Sequence, residues 1–138
     1  MKKNISLLLK ISLLTFLLFA CLPVLAQSKP VKVNLQATLE RTGQVPDTSK
    51  LRAGDVVKWV AIVENENTFD IKNAKLSFPI QNSFKFKLFN FSNVNEVFLD
   101  SFKILPTTGV KKGKTLKVFF NLGAGEVKEI TFYTIHQQ

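Results

Sequence analysis

Every second residue from 31 to 39 is apolar: Val31, Val33, Leu35, Ala37 and Leu39 alternate with Lys32, Asn34, Gln36 and Thr38. A period of two gathers one set of side chains on one face of an extended chain, which no helix can do. The pattern then recurs. Between Val56 and Glu64, Val57, Trp59, Ala61 and Val63 share a face, with Val56, Val60 and Ile62 opposite. Apolar residues on both faces predict a central strand, or one covered by a loop. In residues 71–80, Ala74, Leu76 and Phe78 share a face, and Phe84, Phe86 and Leu88 alternate with Lys85 and Lys87. Residues 96–105 read as one further strand, Leu116, Val118 and Phe120 mark another, and residues 127–135 complete the set. Thr42-Gly43, Ala53-Gly54-Asp55 and Leu122-Gly123-Ala124-Gly125-Glu126 supply turns, while residues 107–114 form a loop with Gly109 and Gly113. No segment carries a 3.6-residue stripe long enough for a helix. About seven short strands between such turns predict an all-β sandwich or barrel. Trp59 is expected as a core anchor, and Phe84, Phe86, Phe119 and Phe120 as core residues.

The front of the 138-residue chain reads differently. Lys2, Lys3 and Lys10 precede the uncharged, largely apolar run ISLLTFLLFACL, which Pro23 breaks, and Val24-Leu25-Ala26 offers a small residue before Gln27. Charge, apolar stretch, breaker and small residue in that order predict a cleavable secretory signal peptide over residues 1–26. A retained anchor would need about 20 apolar residues, so no membrane span is expected after cleavage. Leu18-Phe19-Ala20-Cys21 offers a less favoured alternative, cleavage before a lipidated Cys21. Export to the periplasm, cell surface or medium is the common expectation. Removal of residues 1–26 leaves a domain of 112 residues, long enough to bury a core without a disulfide. It takes three lysines and no acids, so the net charge falls from +9 to +6.

Three segments together resemble a known family. Gly54-Asp55-Val56-Val57-Lys58-Trp59 through Val63-Glu64-Asn65, then Asn73-Ala74-Lys75-Leu76-Ser77-Phe78-Pro79, then Leu122-Gly123-Ala124-Gly125-Glu126 with Ile130-Thr131-Phe132, are similar to the bacterial surface-repeat domain called domain of unknown function 11. The resemblance covers residues 51–135. It implies an immunoglobulin-like antiparallel β-sandwich, as found in secreted and envelope proteins, and it brings no catalytic residues. The chain departs from the pattern in having Trp59 where a tyrosine is usual, and in having a single copy. Within the turns, Gly54 and Gly125 supply permissive backbone, and Asp55 and Asn65 supply acceptors for backbone N–H groups.

Catalytic chemistry finds little material here. Residues 27–138 contain no cysteine, and the only histidine, His136, is expected in an exposed tail, so neither a nucleophile–base pair nor a zinc site is predicted. The chain is therefore expected not to be an enzyme and to need no cofactor. Glu64, Glu66 and Asp70, with Asn65 and Asn67 between them, form an oxygen-rich corner that is a weak calcium candidate; a solvated loop is the favoured reading. The ten lysines between Lys72 and Lys128 are a second signal, densest at Lys111, Lys112, Lys114 and Lys117. They make candidate contacts for an anionic partner, or simply keep Phe-rich strands soluble and their edges unpaired. Nucleic acid is not an expected partner. The expectation is an exported, non-catalytic structural or interaction module of the cell envelope or extracellular space, contacting an envelope protein or polysaccharide. The alternative is binding of anionic glycan or lipid through residues 111–117.

Overall fold

The computed structural model describes residues 29–137, so the predicted leader and Cys21 lie outside it. The chain is all-β. Its strands are β1 (Lys32–Leu39), β2 (Val56–Glu64), β3 (Ile71–Pro79), β4 (Phe84–Phe89), β5 (Glu96–Leu99), β6 (Phe102–Lys103), β7 (Thr115–Leu122) and β8 (Val127–His136). They form two four-stranded antiparallel sheets, ordered β1-β2-β8-β4 and β3-β7-β5-β6. The expected antiparallel sandwich is what the sequence makes, and its strand order adds detail. The last two strands lie in different sheets, β7 between β3 and β5, β8 between β2 and β4. That interleaving is of jelly-roll kind, whereas an immunoglobulin domain keeps its last two strands side by side.

Alternation fixes which side chains meet. Leu35, Val57, Ala61, Val63, Ile130 and Phe132 from the first sheet pack against Leu76, Phe78, Val97, Leu99, Leu116, Val118, Phe120 and Leu122 from the second, all of them buried. β2 is the central strand expected of it, paired with β1 along one side and β8 along the other. Phe132 is the aromatic hub. Its ring stacks between Trp59 and Phe89, with centroids 6.1 and 6.2 Å away, and meets Phe78 at 4.9 Å. Trp59 is a core anchor of a particular kind: it is half-buried, and its indole N–H donates to Thr134 Oγ1 at 3.0 Å.

Three expectations are corrected. Residues 96–105 are not one strand: the chain reverses at Asp100 and Ser101, and Leu99 pairs with Phe102. Asp100 adopts φ 55°, a left-handed conformation that aspartate tolerates, and its carboxylate accepts from the N–H of Thr115 at 3.1 Å. Phe119 is not core. Val118 and Phe120 point inward, so the pleat turns Phe119 to the outer face, where it meets Phe98 edge-on at 6.1 Å. His136 is not a frayed tail. Its N–H donates to Asp55 O at 2.7 Å, its C=O accepts from Gly54 N–H at 2.8 Å, and its ring packs against Phe84 at 5.2 Å.

Candidate functional site

The polar corners of the sandwich are fasteners. At the turn before β2, Asp55 is buried, and its carboxylate takes both Arg41 nitrogens Nε and Nη2 at 2.9 Å and the N–H of Arg52 at 2.8 Å. Gly54 reaches φ 90° beside it, which its missing side chain permits. The bidentate guanidinium, followed by the Arg52 N–H, holds the Asp55 carboxyl well below the usual carboxylate range. A depressed folded-state pKa stabilises the fold fully above the unfolded value near 4, and that contribution is lost as pH falls toward the folded value. Thermal melts between about pH 5 and 2 are therefore expected to show a steeper acid loss in the wild type than in Asp55→Asn. Parallel curves would contradict the assignment.

The acidic corner at the end of β2 does not gather its carboxylates. Glu66 pairs with Lys32 Nζ at 2.7 Å, which lowers its pKa through that hydrogen bond. Asp70 Oδ1 accepts from the N–H of Ala124 at 3.0 Å. Asn65 and Asn67 are buried and bonded to each other and to backbone. Among the described residues no three His, Cys, Asp or Glu side chains lie close enough to hold a metal ion, so Glu64, Glu66 and Asp70 are not assembled into a calcium site.

Between the edges of β1 and β3 the sandwich opens into an apolar pocket of about 40 Å³. Leu35, Ala37, Trp59, Phe78 and Phe132 line it, together with Pro46 and Leu51 from the β1–β2 loop. It holds a few waters at most, far less than the several hundred Å³ of a typical ligand pocket.

The lysines occupy two places. Lys117 stands on the outer face of β7, in register with Phe98 and Ser77 on its neighbours. Lys111, Lys112 and Lys114 lie in the β6–β7 loop, residues 104–114, which runs along the flank where β6 and β4 end their sheets. Lys111 exchanges two backbone hydrogen bonds of 2.9 Å with Phe86, so the loop caps the free edge of β4. Its ammonium sits 4.3 Å from the Phe102 ring centre. None of Lys111, Lys112, Lys114 and Lys117 has an acidic partner among the described residues. The sequence reading missed the apolar side chains beside them: Phe102, Leu105 and Val110 are 46, 51 and 52% exposed. No helix among the described residues is long and apolar enough to cross a membrane.

Fold and surfaces together define a small antiparallel β-sandwich with a lysine-bearing loop along one flank. No family model matches the chain, and no curated protein matches it. A solved structure described as "The unique CBM3- of Hungateiclostridium clariflavum" is 18% identical, with a TM-score of 0.40, over 75% of this chain and 72% of that one.

Proposed function

We propose that the chain is a non-catalytic binding or structural module, exported by a leader removed after Ala26, that acts in the cell envelope or outside the cell through surface contact. The observation that carries this reading is the division of labour among its polar groups. Asp55, Asn65, Asn67, Glu66 and Asp70 are spent on turns and strand ends, while the β6–β7 lysines have no acidic partner among the described residues. Within it, contact with an anionic glycan or lipid through Lys111, Lys112, Lys114 and Lys117 is favoured by their lack of acidic partners. Expressed in a bacterium, the chain is expected outside the cytoplasmic membrane with Gln27 as its first residue. Recovery of the intact 138-residue chain in the cytosol would overturn the export reading. Retention on an immobilised acidic polymer, reversed by salt as screening requires, tests the anionic contact. Elution unchanged by replacing Lys111, Lys112 and Lys114 would remove it.

A further inference from the structure

Six large apolar side chains among the described residues are left exposed, and three of them, Phe102, Leu105 and Val110, fall within nine residues of one another. A folded domain of this size ordinarily scatters such residues, and a local concentration marks a contact surface. Their place in the fold explains why they are out. After the reversal at Asp100, β6 is two residues long and is the last strand of its sheet, so Phe102 has no strand beyond it to cover its ring. Leu105 begins a tight turn closed by Thr108, whose hydroxyl accepts from the Leu105 N–H at 2.8 Å and whose own N–H donates to Leu105 O. The same segment does have an inward anchor. Ile104 is buried, and Gly113 lies directly over Leu99, so the loop is pinned to the core at both ends and its apolar tips are held outward.

Charge completes the pattern. Residues 101–114 contain four lysines and no acid. Asp100, at the border, has its carboxylate turned onto the N–H groups of Lys114 and Thr115, and Glu96 is drawn to Lys103 at 3.5 Å. Lys112 and Lys114 are exposed without acidic partners, and the Lys111 ammonium rests on the Phe102 face. Exposed apolar side chains and lysines without acidic partners in one short segment match one kind of surface in both respects. A bilayer rich in anionic phospholipid attracts the lysines to its headgroups and takes the apolar tips below them. An acidic polysaccharide would satisfy the lysines and leave Leu105 and Val110 in water.

We propose that residues 102–114 form a membrane-docking flank that seats this sandwich on an anionic phospholipid surface. The proposal rests on the reading of the chain as a module that acts by contact with an anionic partner, and it names that partner.

The test uses the protein purified as the cell makes it, wild type beside two variants, so that any leader or lipid is common to all. One variant carries Leu105→Asn and Val110→Asn, the other Lys111→Gln, Lys112→Gln and Lys114→Gln. Co-sedimentation is measured with vesicles of phosphatidylcholine alone and with vesicles containing phosphatidylglycerol. The wild type is expected to bind the anionic vesicles at least about tenfold more tightly. Three lysines at the surface contribute about fivefold each, so the lysine variant should lose roughly a hundredfold. The asparagine variant should lose about tenfold or more, because it removes the insertion of two side chains without changing the charge. All altered residues except Lys111 are exposed, and unchanged circular dichroism verifies the fold. Equal binding to both vesicle types, or anionic binding that survives the asparagine pair, overturns the proposal. Retention on soluble acidic polysaccharide with no vesicle binding overturns it too, yet leaves the contact-module reading standing. Binding to neither removes both.

Discussion

Replacing Phe132 with alanine is expected to cost about 4 kcal/mol of unfolding free energy, in the range found for large aromatic-to-alanine changes in cores. That is a large share of the roughly 5–15 kcal/mol that holds an ordinary domain together. The reason lies in position. Phe132 is buried in β8, the strand that joins β2 to β4, and its ring touches Trp59 and Phe89 in its own sheet and Phe78 in the other. Its loss removes buried apolar area and three aromatic contacts at once, each ring pair contributing about 0.5–1.5 kcal/mol beyond its area. The β1–β3 pocket also loses part of its lining, since Phe132 borders that space with Trp59 and Phe78. Neighbours bridged by sheet hydrogen bonds cannot slide in to fill it. Phe132→Leu should cost less than half as much, because most of the volume stays. Urea denaturation with an unchanged slope measures both. Trp59 is the sole tryptophan, so its emission reports the change directly: a red shift in the alanine variant accompanies the opened pocket. A loss under about 2 kcal/mol would show that the sheets can close over the gap and that Phe132 is not the hub of the core.

Phe132 also shows what period-two patterning conveys and where it stops. Residues 127–135 could be read as a strand with Ile130 and Phe132 inward, because alternation states which residues share a face. The same rule applied with care places Phe119 outward, since Val118 and Phe120 claim the core; its identity as a phenylalanine suggested burial and misled. Alternation carries no information about which strand lies at an edge, because neighbours in a sheet are set by contacts far apart in sequence. Phe102 continues the rhythm of Phe98 in residues 96–105, and only the fold at Asp100 separates them. A left-handed aspartate is a backbone event that a pattern of side chains does not record. The docking flank was half legible for that reason. Lys111, Lys112 and Lys114 stood out as charge, while the exposure of Phe102 and Leu105 depended on β6 having no outer neighbour. His136 failed on another ground: nearness to the end of the sequence suggested fraying, yet its backbone closes a ladder with Gly54 and Asp55.

Asn65→Ala is expected to cost about 3–4 kcal/mol, close to the loss at Phe132 although only a carboxamide is removed. Asn65 ends β2 with its side chain fully buried. Its Nδ2 donates to Phe69 O at 2.8 Å, Gly123 O at 3.0 Å and Leu122 O at 3.2 Å. Its Oδ1 accepts from the N–H and from Nδ2 of Asn67, both at 2.9 Å. Asn67 in turn clasps both backbone groups of Lys29. One amide therefore joins the corner between β2 and β3, the turn between β7 and β8, and the approach to β1. Alanine would leave carbonyls and a buried N–H without partners, and each such group costs about 1–3 kcal/mol where water cannot reach it. For a domain of this length the loss corresponds to a melting temperature lower by roughly 15 °C. Asn65→Asp discriminates the mechanism. It keeps the acceptor for Asn67 but turns a charged oxygen toward three carbonyls, so at neutral pH it should be at least as destabilised as the alanine. Burial and those carbonyls raise the pKa of the new carboxyl, so its penalty shrinks as pH falls and the group becomes a donor. The aspartate variant is thus expected to gain on the alanine variant between about pH 7 and 4 in thermal melts. An alanine loss below about 1 kcal/mol, or an aspartate variant with no such pH trend, would mean that water takes over the corner and that the amide does not hold the two sheets together.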